Sequence, residues 1–130
     1  MNKKIISTAA ILGMLAIILG AFGAHALKKV LPIEQLSTFE TGVRYQMYHA
    51  LFLLFMGQTD ILSSKTKKTI YFLVLFGVLF FSGSIYLLAI NSISPIDFRV
   101  IGFVTPIGGL LLILAWGLLL LNIINKKSQN

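Results

Sequence analysis

Ionisable and hydrogen-bonding side chains concentrate between positions 40 and 49 of the chain. Glu40 and Arg44 are four residues apart, so in a helix they share one face, with the acid before the base as an ion pair prefers. Tyr45 and His49 share the adjacent face by the same spacing, and Tyr48 continues the Glu40–Arg44 row. His25, at the end of the first long apolar stretch of the chain, is expected at a similar depth. The candidate polar cluster therefore consists of His25, Glu40, Arg44, Tyr45, Tyr48 and His49.

Two interpretations of this cluster stay open. Ionisable residues inside a membrane mark functional sites by default, and a proton or solute path through His49, Arg44 and Glu40 would use them. The structural alternative is a Glu40–Arg44 ion pair, with Tyr45 and Tyr48 as interfacial anchors. Two histidines are too few to hold a metal, even though Glu40 could supply a third ligand, so we expect no metal and no cofactor. No base and nucleophile stand at catalytic spacing, so we expect no enzyme.

Four long apolar stretches must position these residues, and they occupy most of the 130-residue chain. A bilayer core about 30 Å thick is crossed by about 20 helical residues, and each stretch meets that length. We therefore predict an all-α integral membrane four-helix bundle forming a single domain, residues 1–130. The predicted spans are Ile5–Ala24, Val43–Leu62, Thr69–Ile90 and Val100–Ile124.

Composition agrees with a membrane protein. Hydrophobic residues make up 57% of the chain and charged residues only 12%, about half the share of a soluble domain. No cysteine is present, which excludes disulfides, thiolate metal sites and a cysteine nucleophile. The net charge of +7 comes from lysines clustered at the ends of the stretches, which favours contacts with membrane lipids over nucleic acid.

The basic residues also predict an orientation, because they mark the cytoplasmic side. Four spans place both termini and the Ser63–Lys68 loop on one side, which carries seven of the 11 lysines and arginines; the other side carries four. Both termini are therefore predicted in the cytoplasm of a multi-pass plasma-membrane protein. On the outer side, Pro32 and the helical spacing that follows it predict a short interfacial helix between spans one and two.

Small residues predict where helices approach closely. In the first stretch they recur at spacings of four and three, which favours an uncleaved helix with a packing seam over a signal peptide; the seam is Ala9, Gly13, Ala16, Gly20 and Gly23. The third and fourth stretches carry further small or helix-bending residues, and Pro106 is expected to kink the last span. The predicted helix-packing residues are Gly13, Gly20, Gly23, Ser82, Gly83, Ser84, Thr105, Pro106, Gly108 and Gly109.

Four segments together resemble a known family. They are Gly20–Leu27, Phe39–Leu51, Phe81–Tyr86, and Thr105–Gly109 with Trp116. In combination they are similar to the bacterial family called domain of unknown function 423, which is related to the vertebrate transmembrane protein 256 family. The resemblance covers nearly the whole chain and implies a four-helix integral membrane protein with an uncleaved first helix. It implies no reaction.

The sequence thus predicts a non-enzymatic membrane protein with a polar cluster near the outer leaflet. We expect it to support membrane integrity or homeostasis, or a membrane partner complex, with lipids and a second copy or another membrane protein as partners. The alternative is a small transporter or channel for protons or a small solute. The apolar run Ala50–Gly57 leaves no continuous polar face for such a path, which favours the first interpretation.

Overall fold

The computed structural model describes residues 1–126 of the chain, and four long α-helices make up most of that range. Short 3₁₀ turns cover Leu27–Lys29, Asn91–Ile93 and Arg99–Ile101. The prediction of an all-α four-helix fold is confirmed. The long helices are α1 (Asn2–His25), α2 (Ile33–Gln58), α3 (Ser64–Ala89) and α4 (Val104–Lys126).

Consecutive helices pack against each other in antiparallel pairs: α1 on α2, α2 on α3 and α3 on α4. Gly57 near the end of α2 meets Ile6 near the start of α1, and Ser82 late in α3 bonds the carbonyl of Gly42 early in α2. Helices α2 and α4 therefore run in the same direction. The apolar core lies between α1, α2 and α3 and continues to α4, and its fully buried side chains include Ile5, Leu53, Met56, Ile70 and Val74.

Three regions of the described chain are long and apolar enough to cross a membrane: Asn2–Lys29, Ser64–Ala89 and Arg99–Asn125. Helix α2 has 26 residues, about 39 Å of helix, so its length also suffices. It falls outside this group because its first half is polar. Since it packs antiparallel between α1 and α3, α2 lies at the same depth as two helices that do meet the criterion.

The interfacial segment after Pro32 is not a separate helix. Pro32 caps α2, which then runs without interruption from Ile33, because Gly42, the glycine in its first half, is held against Tyr86 and Ile85. The second helix accordingly begins earlier and ends earlier than the predicted span. It stops at Gln58, and α3 starts after Ser63, whose hydroxyl accepts the Thr66 backbone N–H as an N-cap.

Pro106 lies in the first turn of α4, which begins only at Val104. The expected kink inside the last span is therefore wrong. The first backbone N–H groups of a helix have no partner within the helix, so proline is accommodated there at little cost. The residues before it, Arg99–Ile101, form a 3₁₀ turn that precedes α4 within the same apolar region.

Candidate functional site

Gln46 joins three helices near the middle of the bundle. Its Nε2 donates to the carbonyl of Leu12 in α1 (2.8 Å), and its Oε1 accepts from the hydroxyl of Tyr86 in α3 (2.6 Å). Gln46 is only 4% exposed. Leaving a buried amide without its hydrogen-bond partners costs about 1–3 kcal/mol of stability, so this junction ties α2 to both of its neighbours.

His49 forms a second junction, between α2 and α4. The indole Nε1–H of Trp116 donates to Nε2 of His49 (3.1 Å), and Nδ1 of His49 lies 2.7 Å from the carbonyl oxygen of Tyr45. An indole can only donate and a carbonyl can only accept, so the contacts match a neutral imidazole protonated on Nδ1. Protonating Nε2 would break the bond to α4.

The depth of His49 differs from the expectation of an outer cluster. Its neighbour Ala50 faces Gly13, which lies midway along the 24 residues of α1. Arg44 lies five residues closer to the outer end, about 7.5 Å away along the helix. His49 therefore lies near the middle of the bundle along the helix axes, whereas Arg44 and the residues before it are closer to the end predicted as outer.

Two serine hydroxyl groups of α3 form hydrogen bonds to the neighbouring helices α2 and α4. Ser82 is buried and its Oγ donates to the carbonyl of Gly42 (2.7 Å). Ser84 bonds the hydroxyl of Thr105 in α4 (2.5 Å) as well as the Phe80 carbonyl. Among the described residues, no buried side-chain nitrogen or oxygen lacks a hydrogen-bond partner. Such bonds between membrane helices are worth about 0.6–2 kcal/mol each.

An open groove lies beside the His49–Trp116 bond. It has a volume of about 810 Å³ and is walled by Tyr45 and His49 from α2, Phe81 from α3, and Trp116 and Gly117 among the residues of α4. Its remaining lining is almost wholly apolar and includes Gly109 and Ile113. We call this the α2/α4 groove. Because Tyr45 and Trp116 are 40% and 48% exposed, it opens towards the surroundings of the bundle.

The structure does not bring the predicted polar cluster together. Glu40 and Arg44 are both exposed and do not pair; Nη2 of Arg44 instead donates to Oγ1 of Thr41 (3.0 Å). Exposed ion pairs gain little against the side-chain entropy that they cost, so the favourable spacing did not suffice. His25 is exposed at the end of α1, apart from buried His49. Tyr48 is also exposed, with its ring 5.5 Å from that of Tyr45.

Asp97 and Arg99 form the one ion pair among the described residues, with Nη2 and Oδ2 2.9 Å apart. Hydrogen bonds from Arg99 lower the pKa of the Asp97 carboxyl to about 2. Both side chains are more than half exposed, in the connection between α3 and α4. The charge of Arg99 is therefore balanced by a carboxylate, whereas that of Arg44 is not.

The small residues differ in what they allow. The α1 seam faces α2: a Cβ at Gly23 would lie 3.1 Å from the Phe39 ring, and those at Gly13 and Gly20 would make ordinary contacts with α2. A Cβ at Gly108 would overlap the backbone of α3 at Phe81, whereas one at Gly109 would contact the ring of Phe81 at 3.5 Å.

Gly83 does not lie at a packing contact, since nothing is within 4 Å of its Cβ position. Three closely packed glycines are not among the predicted packing residues: Gly42, against Tyr86; Gly57, against Ile6; and Gly77, against Leu112. Their signal was weaker, because each is an isolated glycine rather than part of a small-residue series.

Gln46, Tyr86 and Trp116 were also not recognised as site residues. Ionisable groups are the more obvious feature of the sequence, but an uncharged amide in an apolar helix also indicates a hydrogen bond between helices. No group of three or more His, Cys, Asp or Glu side chains in residues 1–126 is arranged to hold a metal ion.

Fold and site together define a helical membrane protein with several candidate spans, whose polar groups join its helices near the middle of the bundle. Comparison with known proteins gives the family: residues 19–109 match the family described as protein of unknown function (DUF423), and the chain belongs to it. Its relatives include a UPF0382 membrane protein of Staphylococcus saprophyticus, 42% identical over 92% of this chain and 95% of the relative.

Two more distant relatives match over similar lengths. UPF0382 membrane protein YwdK of Bacillus subtilis is 40% identical over 88% of this chain and 90% of its own. UPF0382 inner membrane protein YgdD of Escherichia coli is 35% identical over 93% of this chain and 89% of its own. No solved structure matches the chain. The resemblance to the family, inferred from the motifs, is confirmed.

Proposed function

We propose that this protein is a non-enzymatic, four-span protein of the plasma membrane that supports membrane integrity, with the α2/α4 groove as its interaction surface. A partner complex assembled through the same groove is the closest variant of this role. The proposal includes both termini in the cytoplasm, which the seven-to-four distribution of basic residues supports. The Escherichia coli relative is named an inner membrane protein, which supports the plasma membrane as the location.

The observation that carries the proposal is the pairing of the interior polar groups. Gln46, His49, Ser82 and Ser84 are buried, and each bonds a helix other than its own. A transport path needs polar groups that can exchange partners with a passing solute or proton. In this protein the buried polar groups hold the helices together. The α2/α4 groove is then the feature that a lipid or another protein can bind.

One observation favours the transporter alternative. His49 lies near mid-depth and lines a groove that opens to the surroundings, as a residue on a proton path would. Both of its ring nitrogens are engaged, however, so proton transfer would require the bond to Trp116 to open. This alternative therefore ranks second.

The test compares two glycines with open surroundings. Neither Gly117, which lines the groove, nor Gly83, which does not, has an atom within 4 Å of its Cβ position. Cells without the protein should admit a membrane-impermeant dye faster than cells that contain it. Gly83→Leu should restore the barrier and Gly117→Leu should not, at equal protein levels.

Restoration by both variants would remove the groove from the proposed function. Equal dye entry with and without the protein would remove the barrier role itself. Dye entry that depends on His49 and on a pH gradient would instead favour the transporter alternative.

A further inference from the structure

Arg44 carries a positive charge that no acidic side chain in the described chain neutralises. Its guanidinium is exposed and has one side-chain partner, the Thr41 hydroxyl, while Glu40 one turn away does not pair with it. Arginine in a membrane helix directs its head group to the interface and binds phosphate in a two-point geometry. The other arginine predicted on the same side, Arg99, already has the Asp97 carboxylate.

Helical spacing places the guanidinium on the side of α2 that leads into the α2/α4 groove. Thr41, to which it bonds, is one helical turn before Tyr45, and Tyr45 walls the groove. Tyr48, one turn after Arg44, extends this rim because its ring contacts that of Tyr45. A chain that descends from Arg44 past Tyr45 thus enters the groove.

The depths agree with a lipid of one leaflet. Thr41 lies eight residues, about 12 Å, towards the outer end from His49. With His49 near mid-depth, this is close to the edge of a hydrocarbon core whose half-thickness is about 15 Å. The guanidinium is therefore at the edge of the hydrocarbon core, where an arginine side chain can reach a phosphate, and the apolar part of the groove is at acyl-chain level.

We propose that the α2/α4 groove is a binding site for one anionic glycerophospholipid, with its phosphate on Arg44 and an acyl chain between α2 and α4. Charge complementarity favours this occupant, because a phosphate complements the unpaired guanidinium and the described residues of α4, which wall the groove, include no acid for Arg44. A second copy, which would bring its own exposed Glu40, is the competing occupant that the test below addresses. The inference rests on the proposed function, because it names what the groove binds.

The test measures lipid retained by the full-length protein. Protein purified in mild detergent is equilibrated with an equal mixture of phosphatidylglycerol and phosphatidylcholine, and bound lipid is counted by native mass spectrometry. Wild type should prefer phosphatidylglycerol. Arg44→Gln should reduce that preference about tenfold, the value of one charge-assisted hydrogen bond, because the choline cation of phosphatidylcholine already neutralises its phosphate and leaves less to gain from Arg44. Arg99→Gln, the matched control, should leave it unchanged.

Further variants keep the outcomes separate. Arg44→Lys preserves the charge but not the two-point geometry, so it should keep only part of the preference. If Arg44→Gln does not fold, Arg44→Met takes its place and should show the same loss. Gly117→Leu fills the groove and should lower retention of both lipids. An unchanged headgroup preference in Arg44→Gln would overturn the lipid site, whereas an effect of Gly117→Leu alone would leave the groove as the interaction surface.

The competing occupant has its own readout. The chain has no cysteine, so Ile113→Cys introduces a single thiol on the exposed face of α4 that lines the groove. In bilayers that contain phosphatidylglycerol, the thiol should not form a disulfide-linked dimer above the level of Leu79→Cys, an exposed position that does not line the groove. Rapid dimerisation at position 113 alone would assign the groove to a second copy and overturn the proposal.

Discussion

The contact of Gly108 with α3 predicts the largest effect of adding a single methyl group. A Cβ at this position would overlap the backbone nitrogen of Phe81 and lie 2.7 Å from the carbonyl carbon of Phe80. Ordinary contact begins at 3.4 Å, so even the second atom must retreat by 3.4 − 2.7 = 0.7 Å. Since backbone cannot rotate away as a side chain can, Gly108→Ala has to separate α3 from α4.

The magnitude follows from two opposing terms. Forcing extra volume into a packed interior costs about 1–3 kcal/mol, and backbone contacts place Gly108 at the upper end. Alanine gains about 0.8–1 kcal/mol over glycine through its helix propensity. We therefore expect Gly108→Ala to lower the free energy of unfolding by about 2 kcal/mol. Gly117→Ala has nothing within 4 Å to disturb and should keep only the gain.

The assay uses the single tryptophan of the chain. Trp116 lies on α4 and bonds His49 of α2, so its emission reports the seating of α4 while far-ultraviolet circular dichroism reports helix content. Both are followed as SDS is titrated into protein held in mild detergent. If Gly108→Ala unfolds at the same SDS fraction as Gly117→Ala, α3 and α4 do not approach as closely as the structure shows.

Three further predictions concern the polar residues and the topology. His49→Leu leaves the indole of Trp116 without its acceptor and should lower the free energy of unfolding by about 1–2 kcal/mol, while wild-type liposomes should show no proton flux above empty ones. Glu40→Gln and Arg44→Gln should have additive effects on thermal stability, because the two side chains do not pair; strong non-additivity would contradict this. Reporters active on only one side of the membrane should agree when placed in the 63–68 loop and at the C-terminus, and opposite signals would exclude four spans.

The helices could be predicted from the sequence because apolar length alone determines them. The bounds of the second helix could not, since the residues before Val43 are too polar to register as part of a span. They extend α2 nonetheless, because Phe39 is buried against Tyr86 and Gly42 is held by the same ring. Contacts with α3 thus stabilise the helical conformation of residues that precede the apolar stretch of α2.

The candidate site was only partly predictable, for a different reason. Spacing places Glu40 and Arg44 on one face but does not say whether that face is buried, and an exposed face gives an ion pair little advantage. His49 was identified, but its partner Trp116 is 67 residues away along the chain. Pairs of this kind depend on how α2 and α4 are brought together by α3, which no local pattern encodes.

The low hydropathy of α2 has a physical explanation in these bonds. Trp116 is 48% exposed beside the groove, and at hydrocarbon depth its indole N–H needs an acceptor that lipid cannot supply. Tyr86 has the same requirement within the bundle. Helix α2 provides both acceptors, through His49 and Gln46, and Gln46 in turn donates to the carbonyl of Leu12. The polar residues that weaken α2 as a membrane span on composition alone are thus the ones that bind it to α1, α3 and α4, so removing them should raise its hydropathy and loosen the bundle.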